Sequence, residues 1–112
     1  MVKISRGEVW IVNFGPSIGG EIRKQRPAII VSNDATNRYL NRVRVIPLSS
    51  RTDKLYPSEA YLTVNGKTNK AMADQLTTVN EARLAKRIAA LSPSEMAGLE
   101  RAVRIQLGLA QY

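Results

Sequence analysis

The sequence contains neither cysteine nor histidine. Without cysteine the chain cannot form disulfide bonds or bind a metal through thiolates. Without histidine it lacks the commonest acid–base residue at neutral pH and the commonest metal ligand. No cluster of acidic residues resembles a magnesium site either. We therefore expect no metal and no cofactor, and any catalysis must use carboxylates, hydroxyl groups, tyrosines and cations.

Long apolar segments are also absent. No segment approaches the ~20 consecutive apolar residues of a membrane-spanning helix. The first ten residues, MVKISRGEVW, lack the apolar core of a signal peptide. We therefore expect a cytoplasmic protein that does not interact with membranes.

The 112 residues are enough for one domain, which we expect to span residues 1–112. Hydrophobic residues make up 44% of the chain, a fraction typical of a globular protein. A domain this short buries only about two-thirds of the surface of its unfolded chain. Dimerisation would therefore add useful burial.

Positive charge dominates the composition, with a formal net charge of +8 and a pI of about 10.3. Residues 21–54 alone carry eight arginines and lysines against three acidic residues. This excess favours a polyanionic partner such as a nucleic acid. The alternative is a basic face that only contacts solvent.

The pattern of apolar residues predicts a mainly β fold. We expect strands over residues 8–14, 27–31, 43–48, 59–64, 71–79 and 85–91, with polar segments over 15–25, 32–41 and 49–57 and a helical turn over 80–84. Short strands interrupted by glycine and proline usually close into a small barrel or half-barrel. The predicted fold is thus a small SH3-like barrel of six or seven strands, followed by a C-terminal helix.

The C-terminal helix has a clear start. Ser92 and Glu95 form a capping-box pattern with proline at the first helical position. The residues Met96, Leu99, Val103 and Leu107 follow at helical spacing, with Ile105 and Leu109 widening the apolar face. We expect this face to pack on the sheet.

Three short segments combine residue types that can carry chemistry. Glu21 and several cations precede the strand that begins after Arg26, and Ser49 lies beside another cation at the exit of the third strand. Asp74 and Gln75 lie within an otherwise apolar predicted strand. Taken singly, the first two segments are more typical of solvated loops, and Asp74 is as well explained by hydrogen bonds to the loops of the barrel.

Side chains near these segments have two possible uses each. Asn33 and Asn37 suit the reading of unpaired bases, although asparagine in a turn more often serves the backbone. Trp10 and Phe14 could stack on bases, but we favour a place in the core for both.

Together these segments resemble the MazF/PemK family of toxin endoribonucleases. The matching pieces keep the family's order and spacing over nearly the whole chain: residues 6–10, 20–21, 26–34, 45–50, 56–57, 73–75 and 84, with the closing helix. Each piece is short and weakly specific, whereas the ordered set is quite specific.

The resemblance implies an SH3-related barrel, a homodimer, and metal-independent cleavage of messenger RNA at short motifs. It also implies a cognate antitoxin with a disordered, acidic segment. By position, Arg26 matches the family's catalytic arginine, Ser49 its catalytic hydroxyl (usually threonine), Glu21 its loop glutamate and Asp74 the acid of its Asp-Gln pair. Some members have an arginine two residues before that acid, where this chain has Met72.

RNA supplies its own nucleophile, the 2′-hydroxyl group. We expect Arg26 to clamp the phosphate, because its planar fork stays charged and binds two oxygens. Ser49 would hydrogen-bond a phosphate oxygen or orient the 2′-hydroxyl, and Glu21 is the candidate general base or positions its loop. The remaining candidate RNA contacts are Arg23, Lys24, Asn33, Asn37, Arg51, Lys54, Asp74 and Gln75.

Two other functions remain open for a small barrel of this kind. CcdB-type toxins share the fold and poison DNA gyrase, but they depend on a C-terminal Trp-Gly-Ile, whereas this chain ends LAQY. A non-catalytic nucleic-acid-binding module would explain the charge and the polar loops equally well.

Overall fold

The computed structural model describes residues 3–15 and 25–109. In this part of the chain, seven strands and two helices follow in the order β1 (Glu8–Asn13), β2 (Gln25–Ile30), α1 (Asp34–Tyr39), β3 (Arg42–Ser49), β4 (Glu59–Val64), β5 (Lys67–Met72), β6 (Thr77–Asn80), β7 (Leu84–Ala90) and α2 (Pro93–Leu107). Single 3-10 turns, Ala73–Gln75 and Glu81–Arg83, flank β6. Neither helix is long and apolar enough to cross a membrane.

The strands form one curled antiparallel sheet. Its order is β4-β5-β3-β2-β1-β7, and β6 pairs with β3 beside this path. The sheet curls until its outer strands, β4 and β7, approach each other. This half-barrel with a C-terminal helix confirms the expected fold class.

Both faces of the sheet are packed. Val9 and Ile29 project into a cluster that also contains Leu99 of α2, while Trp10 and Val12 project into a second cluster on the other face. The alternation along β1 follows from the two-residue period of a strand. Trp10 is buried, and its Nε1 donates to Glu8 Oε1 at 3.1 Å, so its predicted place in the core is confirmed.

Helix α2 begins as the sequence predicts. The Ser92 and Glu95 side chains form the reciprocal capping box, and Leu99 is fully buried against the sheet. The apolar face ends earlier than expected, however. Leu107, the last residue of the helix, is 51% exposed, and Leu109, which follows the Gly108 cap, is 71% exposed.

Helix α1 was not predicted, since a segment of six mostly polar residues has no apolar stripe to reveal a helix. Its start does carry a signal. The Asn33 side chain accepts a hydrogen bond from Thr36 N at 2.9 Å and so caps the helix.

The single strand predicted over residues 71–79 is wrong. β5 and β6 both run along the same edge of β3, where Leu48 pairs with Ala71 and Val45 pairs with Thr77. Three positions along β3 thus correspond to six positions along the segment that contains β5 and β6. The three extra residues bulge out as the Ala73–Gln75 turn, which the continuous apolar pattern does not show.

Candidate active site

Arg26 lies at the second position of β2, where it pairs with Val12 of β1. In the β2–β3 register, Ala28 faces Pro47 at the end of the paired residues. Extending that register by two residues would set Arg26 opposite Ser49, and both residues line one cleft. Opposed residues of an antiparallel pair project from the same face of the sheet. The structure thus brings together two predicted site residues that lie far apart in sequence.

Arg26 and Ser49 line a surface cleft of about 330 Å³, here called the first cleft. Its other lining residues are Pro27, Leu48, Ser50, Arg51 and Asn69. Arg26 and Arg51 are both exposed, so their guanidinium groups are available to a ligand from solvent. The polar walls and two cations suit an anion such as a phosphodiester.

A second cleft of about 370 Å³ adjoins the first, and Arg26 lines both. The second cleft is otherwise lined by Phe14, Pro47, Gln75 and Thr77. Among the residues that the structure describes, no carboxylate lines either cleft. An RNA strand that crosses the two clefts would therefore meet positive charge together with apolar and amide surface.

The Ser49 hydroxyl is positioned by its own loop. Ser49 Oγ accepts a hydrogen bond from Arg51 N at 3.1 Å, and the residue is half-buried at the end of β3. A serine hydroxyl has one donor and two acceptor sites. Its proton thus remains available to a phosphate oxygen, while the backbone bond restricts where the oxygen lies.

Asp74 and Gln75 occupy the exposed 3-10 turn between β5 and β6, rather than a buried strand. Gln75 lines the second cleft, but Asp74 lines neither cleft. The expected place of Asp74 within an apolar strand is therefore wrong. The bulge between β5 and β6 lifts both side chains from the core to the surface.

The two asparagines have structural partners. Asn33 caps α1, as described above, and Asn37 is only 7% exposed. The Asn37 amide donates to Ser32 O at 3.0 Å and accepts from the Ser32 hydroxyl. The backbone use that the sequence left open thus accounts for both residues, and we do not carry Asn37 forward as an RNA contact.

Several candidate residues lie outside the described residues, namely Glu21, Arg23 and Lys24. The chain is described up to Gly15 and again from Gln25, and both points are next to the clefts through Phe14 and Arg26. Of the other cations, Arg51 lines the first cleft, whereas Lys54 is exposed further along the same loop.

Sequence reasoning missed Asn69 and Thr77, and for Phe14 it favoured a place in the core over base stacking. Phe14 does pack partly against the second cluster, yet it also lines the second cleft. Strand alternation could have flagged Phe14, since it shares a face with Trp10 and Val12 at the open end of β1. Asn69 and Thr77 could be placed only with the β3 register known.

A larger cavity of about 560 Å³ lies beside α1. Its charges are balanced, because Lys3 and Arg38 face Asp34 and Glu81. It therefore offers no preference for a polyanion. Within residues 3–15 and 25–109, no three acidic side chains are close enough together to hold a metal ion.

Relatives of known activity cover nearly the whole chain. Endoribonuclease MazF9 of Mycobacterium tuberculosis is 36% identical over 113 residues, which cover 93% of this chain and 96% of MazF9.

Solved structures share the fold. A MazE–MazF structure from Deinococcus radiodurans matches with a TM-score of 0.84 and 25% identity, covering 98% of this chain and all of the other. A mycobacterial endoribonuclease solved with its cognate antitoxin matches with a TM-score of 0.82 and 24% identity, over 97% and 99% of the two chains.

The family model of PemK-like, MazF-like toxins of type II toxin–antitoxin systems matches residues 5–107. That range includes every strand and helix of the fold and both sides of the two clefts. This chain therefore belongs to the PemK-like, MazF-like toxin family.

Proposed function

We propose that this chain, as one toxin domain over residues 1–112, is an endoribonuclease that cuts single-stranded messenger RNA in the cytoplasm without a metal. One observation carries the proposal: Arg26 of β2 and Ser49 of β3 line the same cleft, and the charged residues that line this cleft are cations. Its membership of a toxin family and its 36% identity to an endoribonuclease support the same activity.

The proposed reaction uses the 2′-hydroxyl of the substrate as nucleophile. The 2′-oxygen attacks the adjacent phosphorus after its proton passes to a general base, for which Glu21 is the candidate. The Arg26 guanidinium binds two phosphate oxygens and stabilises the negative charge that builds up on them. Ser49 donates its proton in a hydrogen bond to a non-bridging oxygen.

The P–O5′ bond then breaks, and the leaving oxygen takes a proton, for which Arg26 is the candidate donor. The products are a 2′,3′-cyclic phosphate and a 5′-hydroxyl end. Arg51 and Lys54, with Arg23 and Lys24, contact flanking phosphates, and Gln75 contacts a base across the second cleft. Asp74 is next to Gln75 in the exposed turn beside the second cleft, whereas Asn33 caps α1 beyond the other end of β2.

Two partners follow from the family. We propose that the chain forms a homodimer and is inhibited by an antitoxin whose acidic segment competes with RNA for the basic surface. A solved relative is named as an endoribonuclease in complex with its cognate antitoxin, which supports the second partner.

The test is digestion of a long RNA by the purified protein in EDTA, followed by sequencing of the fragment ends. Cuts at a repeated short motif, with cyclic phosphate ends, are the expected result. A chimeric oligonucleotide with one 2′-deoxy residue at the cut site should resist cleavage, and cutting there would refute the mechanism. Binding without cutting would instead indicate a non-catalytic nucleic-acid-binding module.

A further inference from the structure

The connection between β3 and β4, residues 50–58, has no strand partner of its own but is held by side chains. We call it the 50–58 loop. Side chains bind four of its backbone groups: Arg51 N is bound by Ser49 Oγ at 3.1 Å, Thr52 O by Tyr61 Oη at 2.8 Å, Lys54 O by Lys70 Nζ at 3.0 Å, and Tyr56 N by Glu59 Oε1 at 2.9 Å. The loop is therefore ordered along its length.

Two of these bonds come from a buried ion pair. Lys70 Nζ lies 2.9 Å from Glu59 Oε1, and the two side chains are only 10% and 8% exposed. Lys70 Nζ also lies 5.6 Å from the centroid of the Tyr56 ring, a cation–π distance. The ammonium group thus contacts a carboxylate, a carbonyl oxygen and an aromatic ring, all under the same loop.

A buried ion pair is weak support for stability, since the cost of removing two charges from water offsets most of their attraction. Apolar residues of similar size would fill the same space without loss of folding stability. What apolar residues cannot supply is the pair of directional bonds to Lys54 O and Tyr56 N. The pair therefore points to a role in fixing the path of the loop.

The ion pair lies close to the proposed site. Lys70 faces Ser49 in the β3–β5 register, so it lies one strand away from the Ser49 hydroxyl of the proposed site. Glu59 begins β4, where it faces Met72. The 50–58 loop, which runs from Ser49 to Glu59, carries Arg51 into the first cleft.

We propose that Lys70 and Glu59 are positioning residues for RNA cleavage, an inference that rests on the proposed function. They hold the 50–58 loop so that Arg51 and Lys54 present their charges to the substrate backbone before it arrives. A loop that is ordered in advance does not lose conformational entropy when RNA binds. Neither residue touches the reacting atoms.

The variant to make is Lys70→Met together with Glu59→Leu, which removes both charges and leaves none buried alone. We expect the double variant to fold with an unchanged Tm, because paired apolar residues replace the ion pair. We expect its KM for an RNA oligonucleotide to rise roughly tenfold and its kcat to stay within about twofold, since a loop that is no longer ordered in advance weakens binding of the RNA backbone but leaves Arg26 and Ser49 in place. Hydrogen exchange should become faster within the 50–58 loop.

The matched control is Arg6→Met with Glu100→Leu, which removes a 2.9 Å ion pair between the N-terminal segment and α2. Its KM, kcat and loop exchange should equal those of the unchanged protein. An unchanged KM or an unchanged loop exchange in the Lys70 and Glu59 double variant would overturn the proposal. So would a loss confined to kcat and Tm, which would indicate a merely structural role.

A binding measurement separates this inference from the proposed function. Affinity for an oligonucleotide with a 2′-deoxy residue at the cut site does not depend on cleavage. If the unchanged protein binds RNA without cutting, the proposed nuclease function fails, and the affinity of the double variant still decides the role of the pair. A lower affinity of the double variant supports that role, together with a slope of log Kd against log salt that is smaller by about 0.7, the value for one phosphate contact. Equal affinities and equal slopes overturn it.

Discussion

At the scale of single residues, the Arg26 guanidinium is the group that both clefts share. Replacing Arg26 by alanine should lower kcat/KM about 10²–10³-fold, as removal of one preorganised charge donor typically does. Lysine at position 26 keeps the charge but cannot bind two oxygens with a planar fork, so it should restore only a small part of the activity. Initial rates on a short RNA measure the effect.

The control for Arg26 is Arg101→Ala, because Arg101 is an exposed cation on α2 and lines neither cleft. Arg101→Ala lowers the net charge by the same amount and should leave kcat/KM within about twofold, as expected for a surface substitution. Equal activity of Arg26→Ala and Arg101→Ala would show that only total charge matters.

Ser49 contributes an oxygen that its loop already holds in place. Ser49→Ala removes the hydroxyl and should lower kcat about 10²-fold, the low end for loss of one donor to a developing charge. Ser49→Thr keeps the hydroxyl and should retain most of the activity. Single-turnover rates separate this effect from binding, and a fully active Ser49→Ala would exclude a chemical role for the hydroxyl.

Residue identity predicted part of this site. Arg26 and Ser49 match positions of the family's sequence pattern, and the pairing of β2 with β3 brings both residues to the first cleft. Asn37 could not be assigned from sequence, because the same amide serves a turn, a base or a buried network. Only its contacts with Ser32 distinguish these uses.

At the scale of elements, the start of α2 is joined to the edge strand β4. Glu95 Oε1 accepts from Ser92 N at 3.0 Å, and Glu95 Oε2 accepts from Thr63 N at 2.8 Å. These backbone hydrogen bonds hold the pKa of the Glu95 carboxyl below its ordinary value of 4.5. The bond from Ser92 lowers the pKa most and the bond from Thr63 comes next, while partial burial opposes both. The ionised carboxylate thus stabilises the folded state.

This lowered pKa gives a prediction with a definite sign. A carboxyl whose pKa is depressed by folding contributes stability above its unfolded pKa and loses it as the pH falls through the folded value. At pH 7, Glu95→Gln should lower the free energy of unfolding by about 0.5–1 kcal/mol, a capping effect reduced by solvent screening. Urea titrations should show that the difference shrinks below pH 4.5; a difference that persists at pH 2 would contradict this origin.

The apolar face of α2 allows a paired comparison. Leu99 is 1% exposed in the core, so Leu99→Ala should lower the free energy of unfolding by about 2–5 kcal/mol through lost burial and a cavity. Leu107 is half-exposed on the same helix, and Leu107→Ala should cost less than about 0.5 kcal/mol. Chemical denaturation of both variants at one protein concentration measures the contrast. Similar losses would mean that Leu107 is buried in solution.

Most elements were predictable because alternation and capping are local signals. β4 was predicted with its observed bounds, and the capping box located the start of α2. The 3-10 bulge at Ala73–Gln75 was not predictable, since it arises from the offset between two strands on one edge of β3. That offset depends on pairing between distant segments, which the apolar pattern of residues 71–79 does not encode.

At the scale of the whole molecule, the net charge of +8 should make RNA binding strongly dependent on salt. If Arg26, Arg51 and Lys54 each neutralise one phosphate, a plot of log Kd against log salt concentration should have a slope of about 2 or more for single-stranded RNA. Arg51→Ala should reduce that magnitude by about 0.7. A slope near zero would indicate that the basic surface does not contact the RNA backbone.

Strand β3 pairs with β2 along one edge and with β6 and then β5 along the other. Ser49 therefore ends the strand with the most neighbours, and Arg26 lies on the adjacent strand β2. Arg51 and Lys54, which we expect to contact the substrate backbone, lie in the 50–58 loop that follows Ser49. In such an arrangement, residues on the strands carry out the reaction and residues on the loops recognise the substrate. Relatives could thus acquire new cleavage motifs by changing their loops, with the reactive pair left on an unaltered scaffold.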